Sequence, residues 1–261
     1  MPKRILAGGL AAFAFAFQLA LATTPRAREE LREEFHQRYP LRAGGRVSLD
    51  NINGDVRVSV WDREEVKVDA VKSASSEDRL ADIEIKVSAQ PDAVHIRTEY
   101  RRQHLHDNPG GVDYTLTVPR RARLDEFELV NGNLEIEDVE GEVRASSVNG
   151  RVETRGLSGE VHLSVVNGHL EATFDRPEIS KPITLDSVNG QVVLTLPGDA
   201  SADLSASTVM GGIHNDFGLR SDRSGFIGHD LHGVLGKGGA RIELSDVNGS
   251  IEIRRASRVT N

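Results

Sequence analysis

A tripeptide recurs along this 261-residue chain with a regularity that chance does not readily give. Val130-Asn131-Gly132, Val148-Asn149-Gly150 and Val166-Asn167-Gly168 stand 18 residues apart. Val188-Asn189-Gly190 follows after 22, Val209-Met210-Gly211 after 21 more, and Val247-Asn248-Gly249 after a further 38. Val139-Glu140-Gly141 and Leu157-Ser158-Gly159 fall between the first three, so glycines at 132, 141, 150, 159 and 168 keep a period of nine. The N-terminal part carries the unit once, from Gly45 through Val47, Leu49 and Ile52 to Asn53-Gly54. Self-similarity at a fixed short period marks architectures whose units bury their apolar faces only against one another.

Apolar residues hold fixed places in each nine. Two after the glycine stand Leu134, Val143, Val152, Val161 and Leu170; four after it come Ile136, Ala145, Thr154, Leu163 and Ala172. These two positions share one face of a strand. Two before each glycine the residue is always aliphatic: Val130, Val139, Val148, Leu157 and Val166. If these also face the core, the chain bends between the fourth and seventh positions, and Val148→Asp would bury an unpaired charge.

Asn-Gly is also a strong hairpin signal, so an antiparallel meander competes. Hairpins would bury the residues three before each glycine, namely Leu129, Asp138, Ser147, Gly156 and Val165, a chemically inconsistent set. Stacking avoids that conflict. The expected fold is therefore all-β: a single-stranded β-helix or β-solenoid-like stack with coils of 18–22 residues, preceded by a β-rich N-terminal section. Asn53, Gly54, Asn131, Gly132, Asn149, Gly150, Asn167, Gly168, Asn189, Gly190, Asn248 and Gly249 are then structural turns. Glycine supplies positive φ, asparagine tolerates the left-handed region, and stacked asparagine amides can hydrogen-bond along the axis.

The remaining organisation follows from composition shifts. Lys3 and Arg4 precede an apolar run from Ile5 to Ala22 that ends Ala20-Leu21-Ala22, a signal peptide over 1–22; the rival reading, an uncleaved membrane anchor, has a run at the lower limit of spanning length that contains Gly8, Gly9 and Gln18. Residues 23–36 are dense in charge and read as a linker, with Leu31 and Phe35 spaced for a helical turn at most. The β-rich section runs over 37–119, with Ser76 positioned to cap one short helix. The repeat stack occupies 120–256, a Gly- and His-rich insertion 211–239 leaves it as a loop or cap, and 257–261 is a tail.

With 32 Lys plus Arg against 40 Asp plus Glu, the net charge is −8, which disfavours nucleic acid as a partner. The absence of cysteine excludes disulfides, thiolate metal sites and a cysteine nucleophile.

These residues resemble a known family. Gly44-Gly45-Arg46-Val47-Ser48-Leu49, Asn53-Gly54-Asp55-Val56 running to Val60-Trp61-Asp62, Val112 to Pro119 and the serial Val-Asn-Gly corners are similar to the bacterial adhesin-like family of β-strand-repeat proteins, whose function is unknown. The resemblance covers roughly Phe35 to Arg254 and implies an all-β stack displayed in the cell envelope. It brings no catalytic residues with it.

Motifs that could carry chemistry are weak throughout the chain. His104-Leu105-His106-Asp107 and His229-Asp230-Leu231-His232 have metal-like spacing but no visible third ligand, and read as exposed polar loops. Gly236-Lys237-Gly238-Gly239 lacks the rest of a phosphate loop, and no nucleophile elbow occurs. No catalytic, cofactor or metal residue is assigned. The sequence thus points to an exported, non-enzymatic binding or scaffolding protein of the periplasm or cell surface, with no stable membrane insertion once the signal is removed. Its expected partner is an envelope polymer or envelope protein; a polysaccharide-active enzyme on a β-helix is the alternative, resting on fold analogy. Cleavage after Ala22 makes Thr23 the first residue of the mature chain; N-terminal sequencing that returns Met1 from a membrane fraction contradicts it.

Overall fold

The structure is a computed structural model that describes residues 30–101, 110–223 and 228–256. The signal segment, His104 to Asp107 and the 257–261 tail lie outside the described residues. Strand β1 (Leu31–Pro40) leads into β2 (Arg46–Asn53) and β3 (Val56–Trp61), joined at the Asn53-Gly54 corner. Then come β4 (Glu65–Ala74), the helix α1 (Glu77–Asp82), β5 (Ile83–Gln90), β6 (Ala93–Tyr100) and β7 (Gly111–Pro119). Ser76 caps α1 by accepting the Arg79 N–H. Strands β8 (Arg123–Asn131) and β9 (Leu134–Glu137) flank the next corner, and β10 (Val143–Arg155), β11 (Val161–Thr173) and β12 (Ile183–Leu196) each run through theirs. The chain ends with β13 (Ala202–Met210), β14 (Ile213–Asn215), β15 (Ser221–Arg223), β16 (His229–Leu235) and β17 (Arg241–Arg255).

The repeats stack in parallel, as a solenoid requires. Asn149 lies opposite Asn131 and Asn167, Gly150 opposite Gly168, and Val152 opposite Leu134 and Leu170. The same register continues from β11 to β12 and from β12 to β17. At Asn-Gly the chain turns from one wall of the stack to the other and never doubles back as a hairpin. Strands from before and after residue 119 share one continuous sheet, because β2 and β3 pair with β8 and β9.

Spatial order departs from chain order at the C-terminal end. Strand β17 sits between β12 and β13, with Asn248 opposite Asn189 on one side and Met210 on the other. The repeat spacing identifies equivalent residues but not adjacent coils, and the 211–239 segment gives the chain length to return. That insertion is not simply a loop. Within it β14 extends one wall beside β17, and β16 closes the other antiparallel to β13.

The charged stretch expected as a linker over 23–36 is a strand from Leu31 onward. Strand β1 pairs antiparallel with β4 along its whole length, Leu31 opposite Ala74 and Pro40 opposite Glu65. Main-chain hydrogen bonding to an outer strand does not need an apolar pattern, so composition gave no sign of it. Its Glu33 also neutralises Lys72 at 2.7 Å.

The core is aliphatic and continuous. Leu134, Ile136, Val143, Val152, Val161, Leu163 and Leu170 are all buried, as their places in the repeat predict. The aliphatics before the Asn-Gly corners are not. Val130, Val148, Val166, Val188 and Val247 are 40–42% exposed, whereas Val139 and Leu157 at the opposite corner are buried. At an Asn-Gly corner two successive residues point outward, so the inward position moves one residue earlier. It is occupied by Leu129, Ser147, Val165, Ser187 and Asp246, all buried. Three of the five positions that the hairpin reading would have buried, Leu129, Ser147 and Val165, thus belong to a real inner column, whereas Asp138 and Gly156 at the opposite corner do not.

The corner glycines answer to a stricter demand than φ. Gly150 has φ 147°, but a Cβ there would also collide with the carbonyl oxygen of Gly132 on the next coil. Gly190 has no positive φ, yet its Cβ would strike the Gly168 carbonyl in the same way. Close approach of successive coils is what excludes a side chain. Gly190→Ala should therefore cost several kcal/mol, more than Gly44→Ala, where φ is 77° and space is open and the strain is about 1–2 kcal/mol. In the same denaturation series Leu163→Ala should cost about 2–5 kcal/mol and Val148→Ser under about 1 kcal/mol. A Val148 variant as costly as the Leu163 variant would refute the outward corner.

Candidate functional site

The exposed Asn-Gly corners form a continuous face across the coils. Asn131 Nδ2 donates to Asn53 Oδ1 at 3.0 Å, Asn149 to Asn131 at 2.9 Å and Asn167 to Asn149 at 3.1 Å. Asn189 donates to Asn167 and Asn248 to Asn189, each at 2.9 Å. All six amides point the same way. Asn53 Nδ2 ends one side on the Gly110 carbonyl at 3.3 Å, and Met210 stands beside Asn248 at the other. An amide carries two N–H donors and two acceptor lone pairs, so the ladder leaves one N–H per asparagine for a partner.

Beside this row runs an aliphatic one. In stack order it is Ile52, Val130, Val148, Val166, Val188, Val247 and Val209, each at least 40% exposed, with Met210 at its end 62% exposed. Strand spacing sets the interval at about 4.8 Å, so seven coils span about 29 Å. Backbone pairing fixes both rows, and binding to them would order little that is not already ordered. The paired rows can offer hydrogen bonds and apolar contact at one repeat to an extended partner. They supply no acid, base or nucleophile.

Behind the face lies the inner polar column. At its N-terminal end Asn51 Nδ2 donates to the carbonyls of Val112 at 3.0 Å and Gly54 at 3.1 Å, while Asn51 Oδ1 accepts from Thr98 Oγ1 at 3.0 Å. Thr98 also meets the Tyr114 hydroxyl at 2.8 Å, and burial pushes that phenol far above its usual pKa. Near the other end the column is less well satisfied. Asp246 is buried between the Ser187 and Thr208 positions, and its two carboxyl oxygens find no hydrogen bond of normal geometry. Burial raises its pKa; the Ser187 hydroxyl and the Val247 N–H oppose the shift without cancelling it.

A second charged group was invisible in the sequence. His36 Nδ1 meets Asp69 Oδ1 at 2.8 Å and its Nε2 meets Glu34 at 3.2 Å, on the exposed face of β1 and β4. These hydrogen bonds, to Asp69 first and Glu34 second, raise the imidazole pKa. Burial works against ionisation of Asp69, but hydrogen bonds from Lys67 and His36 hold its carboxyl below the usual value. The two residues lie 33 apart in sequence, on strands whose pairing only the fold reveals. Of the histidines singled out by spacing, His232 meets Ser205 Oγ at 3.1 Å on β16, and His229 lies opposite Thr208. Among the described residues no three of His, Asp and Glu converge as a metal site would require. No described helix is long and apolar enough to cross a membrane.

Residues 45–254 match the family described as Toastrack DUF4097. The chain belongs to that family. Among solved structures it is similar to a "putative cell adhesion protein" from Clostridium sporogenes, at 10% identity and TM-score 0.50, covering 86% of this chain and 100% of that one. A "putative adhesin" from Bacteroides fragilis matches at 10% identity and TM-score 0.42, over 85% of this chain and 97% of that one. A "putative lipid binding protein" from Parabacteroides distasonis matches at 10% identity and TM-score 0.31, over 87% and 97%. No curated protein matches the chain in sequence.

Asp246 gives a pH dependence of defined sign. A carboxyl whose folded pKa is raised stabilises the fold relative to its ionised form only below the unfolded pKa, about 3.9. That advantage is lost as pH rises toward the raised folded value and is absent above it. Asp246→Asn should accordingly match the parent below about pH 4 and become the more stable of the two toward neutrality. Chemical denaturation at several pH values measures the difference; a constant difference contradicts a buried titrating group.

Proposed function

We propose that this Toastrack protein is an exported, non-enzymatic binding or scaffolding module of the cell envelope, working in the periplasm or at the cell surface. The observation that carries this reading is the corner face, an Asn row crossing six coils beside an aliphatic row crossing seven. A rigid one-dimensional array favours a partner that is itself extended: an envelope polymer, or an envelope protein lying along the stack. Each contact repeats, so modest contacts accumulate without further ordering cost. The basic and apolar leader at Met1–Ala22 supports export. The acidic balance favours neutral or cationic partners over bare anionic ones, and any charge-driven component weakens with salt.

The face can be altered without touching the core, because Val148 and Val166 are exposed. Val148→Lys combined with Val166→Lys should leave the melting temperature nearly unchanged and weaken binding to isolated cell-wall or capsular glycans, or to envelope extract, by about tenfold or more. Binding undiminished in this variant would remove the corner face from the proposal. Sustained release of cleaved sugars, abolished by one carboxylate substitution, would replace the proposal with an enzyme.

A further inference from the structure

The repeat has one long connection, and it opens a recess. Residues 156–160 join β10 to β11, whereas 174–182 join β11 to β12, which accounts for the spacing of 22 in place of 18. The longer segment is held to the coil below at Pro182, whose carbonyl accepts the Val161 N–H at 3.0 Å. Glu178 bridges to Ser201, whose N–H donates to the Pro177 carbonyl at 3.1 Å. Between this segment and Leu157-Ser158-Gly159 lies a cavity of about 480 Å³, within the range of small-molecule sites.

Its lining is two-sided. Leu157, Phe174 and Ile183 are buried apolar residues, and Ile179 is partly buried against the core. Arg176 and Lys181 are exposed on the same lining, with one carboxylate, Glu178. Arg144 and Arg155, both on β10, pair with Glu142 and Glu153. Arg176 and Lys181 have no such partner within ion-pair distance among the described residues. The recess thus sets two uncommitted cations beside apolar lining residues in a chain whose net charge is −8.

We propose that this recess binds a small anionic amphiphile, an apolar chain or ring ending in one carboxylate or phosphate. The apolar part covers Leu157, Phe174 and Ile179, and the anionic end takes Arg176 and Lys181. Ser158 and Ser180 supply hydroxyls at the same lining. The site is separate from the corner face, so its fate does not depend on the envelope-binding proposal.

Calorimetric titration of the purified protein with octanoate, monooctyl phosphate and neutral octanol tests this. Both anions should bind, at least about tenfold tighter than octanol, and the tighter of the two distinguishes a fatty acid from a phosphorylated lipid as the source. Arg176→Gln and Lys181→Gln should each weaken the anions about fivefold while leaving octanol binding and the melting temperature unchanged. Ile179→Ser should weaken all three ligands. Absence of binding, equal affinity for octanol, or anion affinity indifferent to both Gln variants would overturn the assignment.

Discussion

The closeness with which each coil lies on the next at its corner governs the rest of this structure. The carbonyl oxygen of one corner glycine occupies the space that a Cβ on the next would need, from Gly54 and Gly132 through Gly190 and Gly249 to Gly211. Parallel pairing in strict register follows, because a slip of one residue would bring a side chain into that contact. Register then places asparagine over asparagine, at a distance where amides hydrogen-bond along the axis. It also sets aliphatic over aliphatic in an exposed row. The candidate binding face is thus a by-product of this close approach of the coils, which is why it is both regular and rigid.

The same stacking creates an inner column that the repeat tolerates but does not standardise. Leucine, serine, valine, serine and aspartate succeed one another at equivalent inward positions. Buried polar groups cost free energy unless hydrogen-bonded, and the column meets that cost differently at Asn51 and at Asp246. Asn51 does so through a closed network with Thr98, Tyr114 and main-chain carbonyls. Asp246 has no such network, so its environment favours the protonated carboxyl. It also lies on β17, the strand inserted between neighbours on either side. Ionisation there loads the one layer whose removal would separate β12 from β13.

Function is distributed in the same uneven way. The corner face extends along the stack and presents no reactive set, which suits recognition by repetition. The recess under residues 174–182 is local, and arises where the repeat gains length and the extra chain is tied elsewhere. The His36–Asp69 pair lies on the outer strand β1 and its neighbour β4. Regularity makes the extended surface; departures from regularity make the discrete sites.

How much of this was legible beforehand depends on whether a feature is periodic. The nine-residue spacing of glycine and the fixed places of Leu134, Val152 and Leu170 pointed to a stacked all-β fold, since stacked units bury those residues against their equivalents. The same spacing put Val148 inside, and there it failed. Periodicity locates a bend only approximately, and an error of one residue exchanges Ser147 for Val148 between core and solvent. The sequence was silent on β1, whose hold on β4 is main-chain hydrogen bonding, and on the placing of β17, because equivalent repeats do not announce their neighbours. The His36–Asp69 pair and the recess likewise bring together residues distant in sequence or in non-equivalent positions. The repeat by itself determined the unit and its stacking; only the tertiary structure decided which side chain turned outward at each corner and which coil lay on which, because those depend on contacts between layers.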